Sequence, residues 1–288
     1  MIAIRAAAHV DKVQILNFCA NTFSWGDYID QVWDLWFQDK RGKMIVADSN
    51  GMQVGMAHVA ACPDSQGIWL EGVRVHPSYR RSKIATCLID EMLNYGIENG
   101  ATHALAIVAK DNVASQRMME RSGFAVISEW SYYSTSEKLA EEPSTARLAS
   151  PDDLDAIMRY LETSKIYVRS AKKYVRSWHW YMLDRITLQE LVSEGRVVMS
   201  GKPVAGISVI NEKGYWNRKN ILQVVYLDSQ DASTLRDLLR FVTDLYRDGN
   251  YERLQVLCQH DDQMVSIIEK FHILESERFL LYSKVFSG

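Results

Sequence analysis

Hydrophobic and polar positions along the chain follow two periods in turn, one typical of strands and the other typical of helices. In the first half, strands are predicted at residues 1–7, 44–47, 53–61, 69–76, 103–108 and 124–133. Helices are predicted at residues 10–21, 27–37, 83–99 and 112–122. This alternation predicts an α/β (α+β) fold.

The second half repeats the same order of elements. Strands are predicted at residues 146–149, 196–199, 203–210, 221–227, 254–258 and 278–286, and helices at 152–163, 171–194, 233–248 and 261–271. A repeat of domain length indicates duplication, because solenoid repeats span only about 20–50 residues. The polar stretch that contains Pro143 separates the halves. We therefore predict a first domain at 1–137, a linker at 138–145 and a second domain at 146–288.

Composition narrows the class of protein. The 288 residues are 47% hydrophobic and 24% charged, and the net charge of −3 gives no basic excess that would favour a nucleic-acid partner. No apolar stretch approaches the roughly 18 residues of a membrane span, and no leader peptide is visible, so we expect a cytoplasmic protein without a membrane partner. Four cysteines lack metal-site or disulfide spacing, so we expect reduced thiols and no metal: Cys19, Cys62, Cys87 and Cys258.

A basic loop between a strand and a helix is the most informative segment. The strand ends at His76-Pro77, and residues 79–82 lead directly into the helix. A helix start has unpaired N–H groups and a positive dipole, and Arg80, Arg81 and Lys83 add charge there. Pyrophosphate suits such a turn. The alternative is a solvated helix start without a ligand.

Two blocks resemble motifs of the GNAT (GCN5-related N-acetyltransferase) superfamily. Residues 80–85 are similar to its motif A loop, Arg/Gln-x-x-Gly-x-Gly/Ala, but have Lys83 in place of glycine, which is costly if φ is positive there. Residues 111–124 resemble motif B, with Asn112 at the helix start. Met119 replaces the tyrosine that often serves as general acid, and methionine cannot donate a proton.

The resemblance identifies the chain as a tandem-domain member of that superfamily with a degenerate C-terminal repeat. It implies that each half is a mixed, mostly antiparallel sheet with flanking helices. It also implies acetyl-CoA as cofactor, with Val73 and Val75 contacting it through the main chain. The implied cofactor-binding residues are Val73, Arg74, Val75, Arg80, Arg81, Ser82, Lys83, Ile84, Ala85, Asn112 and Ser115.

Glu71 is the candidate catalytic residue. It lies in an interior strand among apolar neighbours, where lost solvation favours the neutral carboxyl and suits a general base. In the resembling family a glutamate base often precedes the cofactor-contacting stretch. The alternative is a structural glutamate paired with an arginine such as Arg74. His58 and His76 are expected to be structural, and Tyr132 or Tyr133 is a weaker candidate for the missing acid.

Aromatic residues of the first half fall where this fold places its substrate-capping helices. Trp25, Asp27 and Tyr28 are the candidate substrate-binding residues, with Asp27 attracting an ammonium group. The alternative is ordinary helix packing. The second half is acidic at residues 227–231, where phosphate would bind, so we expect it to complete the acceptor pocket or a dimer face instead.

The residues and the resemblance together predict an N-acetyltransferase. We expect an acetyl group to move from acetyl-CoA to a primary amine of a small molecule, amino acid or peptide, in a monomer or homodimer. The alternatives are a non-catalytic acyl-CoA-binding or regulatory protein, favoured by Lys83 and Met119, and an enzyme that transfers a longer acyl chain.

Overall fold

The chain forms two compact units. The computed structural model describes residues 2–20, 22–23, 26–62, 66–137, 143–212 and 220–286. Unit 1 comprises Met1–Val108, Asn112–Ala125 and Tyr282–Gly288, and unit 2 comprises Ala109–Asp111 and Val126–Leu281. Residues 138–142 of the predicted linker lie outside the described residues.

Unit 1 is built on a mixed sheet with the order β1-β2-β3-β4-β5. Its strands are β1 (Ile2–Ala6), β2 (Gly42–Ser49), β3 (Met52–Ala61), β4 (Gly67–Val75) and β5 (His103–Ala109). Its helices are α1 (Lys12–Cys19), α2 (Ile29–Phe37), α3 (Ile84–Glu98) and α4 (Val113–Arg121). Only the β4–β5 pair in this order is parallel. The predicted mixed, mostly antiparallel sheet is therefore confirmed for unit 1.

Helix α3 packs directly on the sheet, and this contact places its first turn. Its buried residues recur at helical spacing, as Ile84, Leu88, Ile89, Met92 and Leu93 show. A Cβ added to Gly55 of β3 would lie only 2.9 Å from Ile84 Cγ2 and 3.2 Å from Leu88 Cδ1. The absence of a side chain at Gly55 thus lets the start of α3 lie against β3, next to the end of β4.

Unit 2 repeats this plan, with the sheet order β6-β13-β12-β11-β10-β7. Its strands are β6 (Ala125–Thr135), β7 (Arg147–Leu148), β8 (Lys173–Arg176), β9 (His179–Met182), β10 (Val197–Ser200), β11 (Gly206–Asn211), β12 (Ile221–Ser229), β13 (Arg253–Gln259) and β14 (Leu274–Val285). Its helices are α5 (Leu154–Thr163), α6 (Lys165–Arg169), α7 (Arg185–Ser193), α8 (Ala232–Asp248) and α9 (Asp262–Ile268). Here too one pair, β12–β13, is parallel. The end of β14, from Tyr282 onward, groups with unit 1.

The single long helix predicted for residues 171–194 is wrong. The structure has the hairpin β8–β9 there, and only Arg185–Ser193 is helical. Ser177 and Trp178 adopt left-handed backbone angles, with φ of 51° and 64°, which turn the chain back on itself. The aromatic rings of Tyr174 and Tyr181 then pair across the two strands. Aromatic residues occur in helices and in hairpins, and their spacing in this segment is compatible with both. The sequence pattern therefore did not reveal the turn between β8 and β9.

Two further observations concern the predicted class of protein. No helix within the described residues is long and apolar enough to cross a membrane. All four cysteines fall in the described part of the chain, and no disulfide joins them.

Candidate active site

The parallel strands β4 and β5 separate halfway along their length. Their paired residues end with Leu70 opposite Ala106, although β4 continues to Val75 and β5 continues to Ala109. Beyond that point the two strands no longer share backbone hydrogen bonds with each other. A gap therefore opens in the sheet beside residues 71–75.

The direction of the backbone N–H groups alternates along β4, and this alternation determines which of them face the gap. The N–H of His76 donates to the carbonyl of Val54 on β3, at 2.8 Å. Consecutive N–H groups of a regular strand point to opposite sides, so the N–H of Val75 points away from β3 and towards the gap. The sequence predicts main-chain contacts of Val73 and Val75 with a cofactor beside this gap.

The start of α3 has three basic residues and no side-chain cap. A short 3-10 turn at Pro77–Tyr79 follows β4, and Lys83 is the N-cap residue of α3. The side chain of Lys83 makes no capping hydrogen bond to the first turn of this helix. Arg80, Arg81 and Lys83 are exposed, and no acidic group of the described residues pairs with them. This start is therefore positive and open to an anion.

The other loop residues predicted to bind the cofactor have different exposures. Ser82 is exposed, Ala85 is half-buried, and Ile84 is buried against the sheet. Ile84 and Ala85 are the first two residues of α3, so their N–H groups have no partner within the helix. The main chain is therefore the part of these two residues that is available to an anion.

Lys83, which replaces the glycine of the motif A loop, has a left-handed backbone conformation. Its φ is 61° and its ψ is 10°. We expect Lys83→Gly to raise the free energy of unfolding by about 0.5–1 kcal/mol, because glycine relieves a left-handed cost of about 1–2 kcal/mol but is freer when unfolded. Urea denaturation measures this, with Lys83→Ala as the control that removes the charge and keeps the backbone cost. A glycine variant no more stable than the alanine variant would contradict the expectation.

Asn112 is the N-cap residue of α4. Its Oδ1 accepts a hydrogen bond from the N–H of Ser115 at 3.1 Å. The cap uses only the amide oxygen, so the amide NH₂ is still a possible donor to a ligand, and the predicted cofactor contact stays a prediction. Met119 is buried, so the position of the family tyrosine is part of the core.

Glu71 lies opposite His58 across β3 and β4. His58 Nδ1 is 2.9 Å from Glu71 Oε1, and the Glu71 side chain is 14% exposed. The arginine suggested as an alternative partner binds another acid: Arg74 Nε donates to Asp27 Oδ2 at 2.8 Å, and Arg74 Nη2 donates to Asp27 Oδ1 at 3.0 Å. The carboxylate of Glu71 therefore lies on the strand that borders the gap, held by a histidine.

Residues 10–124 match the family model described as Acetyltransferase (GNAT) family. Residues 10–124 therefore form a GNAT domain. Over 86 residues it is 28% identical to an aminoglycoside N(6')-acetyltransferase type 1 of Salmonella typhimurium, an alignment that covers 27% of this chain. The chain spans only 59% of the length of that curated relative.

Solved structures extend the likeness to both halves. A GCN5-related N-acetyltransferase from Sphaerobacter thermophilus superposes with a TM-score of 0.66 and 12% identity, over 99% of this chain and 95% of that one. A tandem GNAT protein from the clavulanic acid biosynthesis pathway gives a TM-score of 0.57 and 14% identity, over 100% and 99%. At such identities the likeness shows the fold, which is the predicted tandem GNAT fold.

Asp27, one of the predicted substrate residues of the GNAT domain, forms a buried ion pair with Arg74. The Asp27 side chain is 3% exposed and Arg74 is 12% exposed. The Arg74 guanidinium lies 5.2 Å from the Tyr28 ring, and burial raises the pKa of Tyr28. Although burial opposes its charge, Tyr28 and Asp27 hold the pKa of Arg74 above its ordinary value. Trp25 lies outside the described residues. An ammonium group would have to compete with Arg74 for Asp27.

Unit 2 lacks the candidate base of the GNAT domain. Its parallel pair β12–β13 ends with Val224 opposite Val256, after four paired residues, just as β4–β5 does. Counting from this point, Val225 stands where Glu71 stands in unit 1, and Asp228 stands where Arg74 does. Asp228 is buried and accepts hydrogen bonds from two tyrosines and a serine. A valine cannot take a proton, so this strand has lost the base.

Unit 2 also lacks an open helix start. The Asp231 side chain caps α8 by accepting a hydrogen bond from the N–H of Thr234 at 2.8 Å. A cavity of about 410 Å³ beside this helix start is lined by three aspartates and two basic residues: Asp228, Asp231, Asp261, Lys165 and Arg169. Arg169 pairs with Asp261 at 2.6 Å. The Asp231 carboxylate caps the helix start and repels phosphate there, which supports the interpretation of this repeat as degenerate.

Several features of the candidate site could be recognised only in the folded chain. The cross-strand partner of Glu71 depends on the register of β3 against β4, and a bulge interrupts that register between Met56 and His58. Neither weaker candidate for the missing acid lies in the GNAT domain: Tyr132 and Tyr133 both belong to unit 2. There Tyr132 accepts a hydrogen bond from Gln255, and Tyr133 is fully buried.

Proposed function

We propose that the GNAT domain of this chain is an N-acetyltransferase that moves an acetyl group from acetyl-CoA to a primary amine. The observation that carries the proposal is the uncapped basic start of α3, which directly follows the strand that borders the gap. A diphosphate at the helix start would place a long pantetheine arm along that strand. The family match over residues 10–124 supports the same reaction.

The residues of the GNAT domain fit each part of the cofactor. Arg80, Arg81, Lys83 and the first N–H groups of α3 would hold the pyrophosphate. The N–H groups of Val73 and Val75 would meet the pantetheine amides and the thioester carbonyl. Asn112 and Ser115 at the start of α4 are the proposed contacts on the other side of the arm.

Glu71 is the proposed general base. Its carboxylate accepts a proton from the acceptor ammonium, which gives the neutral amine that can attack. Acetyl-CoA supplies the acetyl thioester: the new C–N bond forms as the C–S bond breaks, and the electron pair leaves on sulfur. The N–H groups directed into the gap stabilise the negative charge that develops on the carbonyl oxygen. The first proton then leaves Glu71 for solvent. The second proton of the attacking nitrogen passes to the thiolate sulfur, directly or through solvent, which leaves a neutral amide and CoA.

The buried Met119 does not prevent this reaction. A thiol has an ordinary pKa near 8.5, with cysteine as the reference, so a thiolate leaves at neutral pH without a strong acid. An acid would aid only the final protonation of sulfur. The loss of the tyrosine is therefore expected to limit the rate rather than to abolish turnover.

The acceptor is proposed to be a compact amine bound near aromatic side chains. Phe23, Tyr28 and Trp36 cluster close to Glu71 and Arg74 in unit 1. Aromatic faces attract cations, which suits a protonated amine before it meets the base. Because one curated relative acts on aminoglycosides, aminoglycosides join amino acids and small peptides in the acceptor panel.

The test of cofactor binding is calorimetry with acetyl-CoA. We expect one molecule bound per chain, because Asp231 occupies the start of α8 in unit 2. Arg80→Ala and Arg81→Ala should each weaken binding about tenfold, since charge-assisted contacts to phosphate are lost. Arg159→Ala, an exposed arginine of α5, is the matched control and should bind like the wild type.

Two results would count against this assignment. Wild-type protein without affinity for CoA or its acyl forms would end the proposal. A stoichiometry of two would overturn the degenerate interpretation of unit 2. Thiol release over the amine panel then separates an enzyme from the alternative, a non-catalytic acyl-CoA-binding protein, which would bind acetyl-CoA and release no thiol.

A further inference from the structure

His58 is buried beside two carboxylates, which a residue that serves only to pack the core would not need. Its side chain is only 1% exposed, yet it carries two ring nitrogens in a sheet of apolar neighbours. A carboxylate faces each nitrogen: Glu71 Oε1 lies 2.9 Å from Nδ1, and Asp39 Oδ2 lies 3.6 Å from Nε2. Only the contact with Glu71 is within hydrogen-bond distance. No hydrogen-bond partner of Nε2 occurs among the described residues.

The imidazole ring is held in one orientation. Trp36 of α2 stacks on it, with ring centroids 4.8 Å apart and an interplanar angle of 9°. Trp36 is itself fixed against Gly72, where an added Cβ would lie 2.5 Å from Trp36 Cζ3, and φ is 67°. Gly72 directly follows Glu71 in β4, so the same strand holds both the Trp36 ring and the Glu71 carboxylate in place.

The bulge in the sheet explains why these groups meet. The register of β3 against β4 shifts between Met56 and His58, which places His58 opposite Glu71. Bulges re-aim side chains and are frequent beside active sites. Met44 of β2 lies opposite His58 on its other side, so Glu71 and Asp39 are the charged groups that face the ring from β4 and from the end of α2.

We propose that His58 is a positioning residue for Glu71, an inference that rests on the proposed function. The Nδ1–H of His58 donates to Oε1 of the ionised carboxylate, which orients Glu71 towards the acceptor amine and favours its basic form. The stack with Trp36 holds the ring still while the amine and cofactor bind. His58 acts through Glu71 and touches neither substrate.

A matched pair of amide variants separates positioning from packing. In His58→Asn the side-chain nitrogen occupies the place of Nδ1, whereas in His58→Gln it reaches the place of Nε2, towards Asp39. We expect His58→Asn to keep most of kcat. We expect His58→Gln to lower kcat about tenfold, with KM for acetyl-CoA unchanged, because a hydrogen bond to a charged group is lost.

The pH profile gives the second readout. A hydrogen bond to the ionised carboxylate favours that form, so its loss lets Glu71 take up a proton at higher pH. The acidic limb of the kcat/KM profile should therefore move to higher pH in His58→Gln and stay in place in His58→Asn. Equal kcat values and equal acidic limbs for the two variants would overturn the inference.

A measurement on the wild type keeps the inference testable if His58→Gln does not fold. In ¹⁵N NMR of histidine-labelled protein, His58 Nδ1 should carry a proton, with the signal assigned from its absence in His58→Asn. A neutral ring protonated on Nε2 alone would refute the positioning role. Failure of the proposed function looks different, because the wild type would then release no thiol with any amine.

Discussion

Replacing Glu71 by glutamine is expected to lower kcat by a factor of about 100–10,000, the usual contribution of a general base. Glutamine has nearly the same shape but cannot accept a proton from an ammonium group at neutral pH. The residue lies on β4 beside the gap and is hydrogen-bonded to His58. The measurement is steady-state thiol release with a reactive amine from the panel.

Binding of acetyl-CoA should survive this change, because the proposed cofactor contacts are the start of α3 and the main chain of β4. Calorimetry on Glu71→Gln tests that point. Glu91→Gln is the matched control: Glu91 lies on α3 and pairs with Lys43 at 2.7 Å, away from β4. Undiminished turnover in Glu71→Gln would remove the base assignment, whatever the cofactor affinity.

Removing one partner of the buried Arg74–Asp27 pair should have the largest effect on stability. Arg74→Met leaves the 3% exposed carboxylate of Asp27 without a cation, and uncompensated buried charges cost about 3–5 kcal/mol. The two side chains also tie the segment before α2 to β4. We therefore expect a loss of that size in the free energy of unfolding, measured by urea denaturation.

An exposed ion pair of the same unit is the control. Lys12 and Asp34 join α1 to α2 at 2.8 Å, with side chains 33% and 65% exposed. Such pairs contribute at most about 1 kcal/mol, so Lys12→Met should have little effect. If Arg74→Met costs no more than Lys12→Met, the pair is not the anchor of this segment. The double variant Asp27→Asn with Arg74→Met should regain part of the loss, since it removes the unpaired charge.

Local patterns were sufficient for most of the fold and for the basic start of α3. Helix α3 was predicted within one residue of Ile84–Glu98, because its apolar positions repeat at helical spacing and a glycine follows it. The family glycine at the position of Lys83 raised a positive φ as one condition that would make lysine costly, and the structure shows a φ of 61° there. The hairpin β8–β9 was missed, because aromatic residues at short spacing fit a buried helix and a hairpin equally well.

The sequence by itself determined most of the order of elements, the repeated plan of the two halves and the basic helix start, since each depends on residues that are close along the chain. Only the tertiary structure decided that Glu71 meets His58, and that Asp27 meets Arg74 rather than solvent. These partners are 13 and 47 residues apart. Their meeting depends on strand register, on one bulge and on the packing of α2, and none of these has a local signal in the sequence.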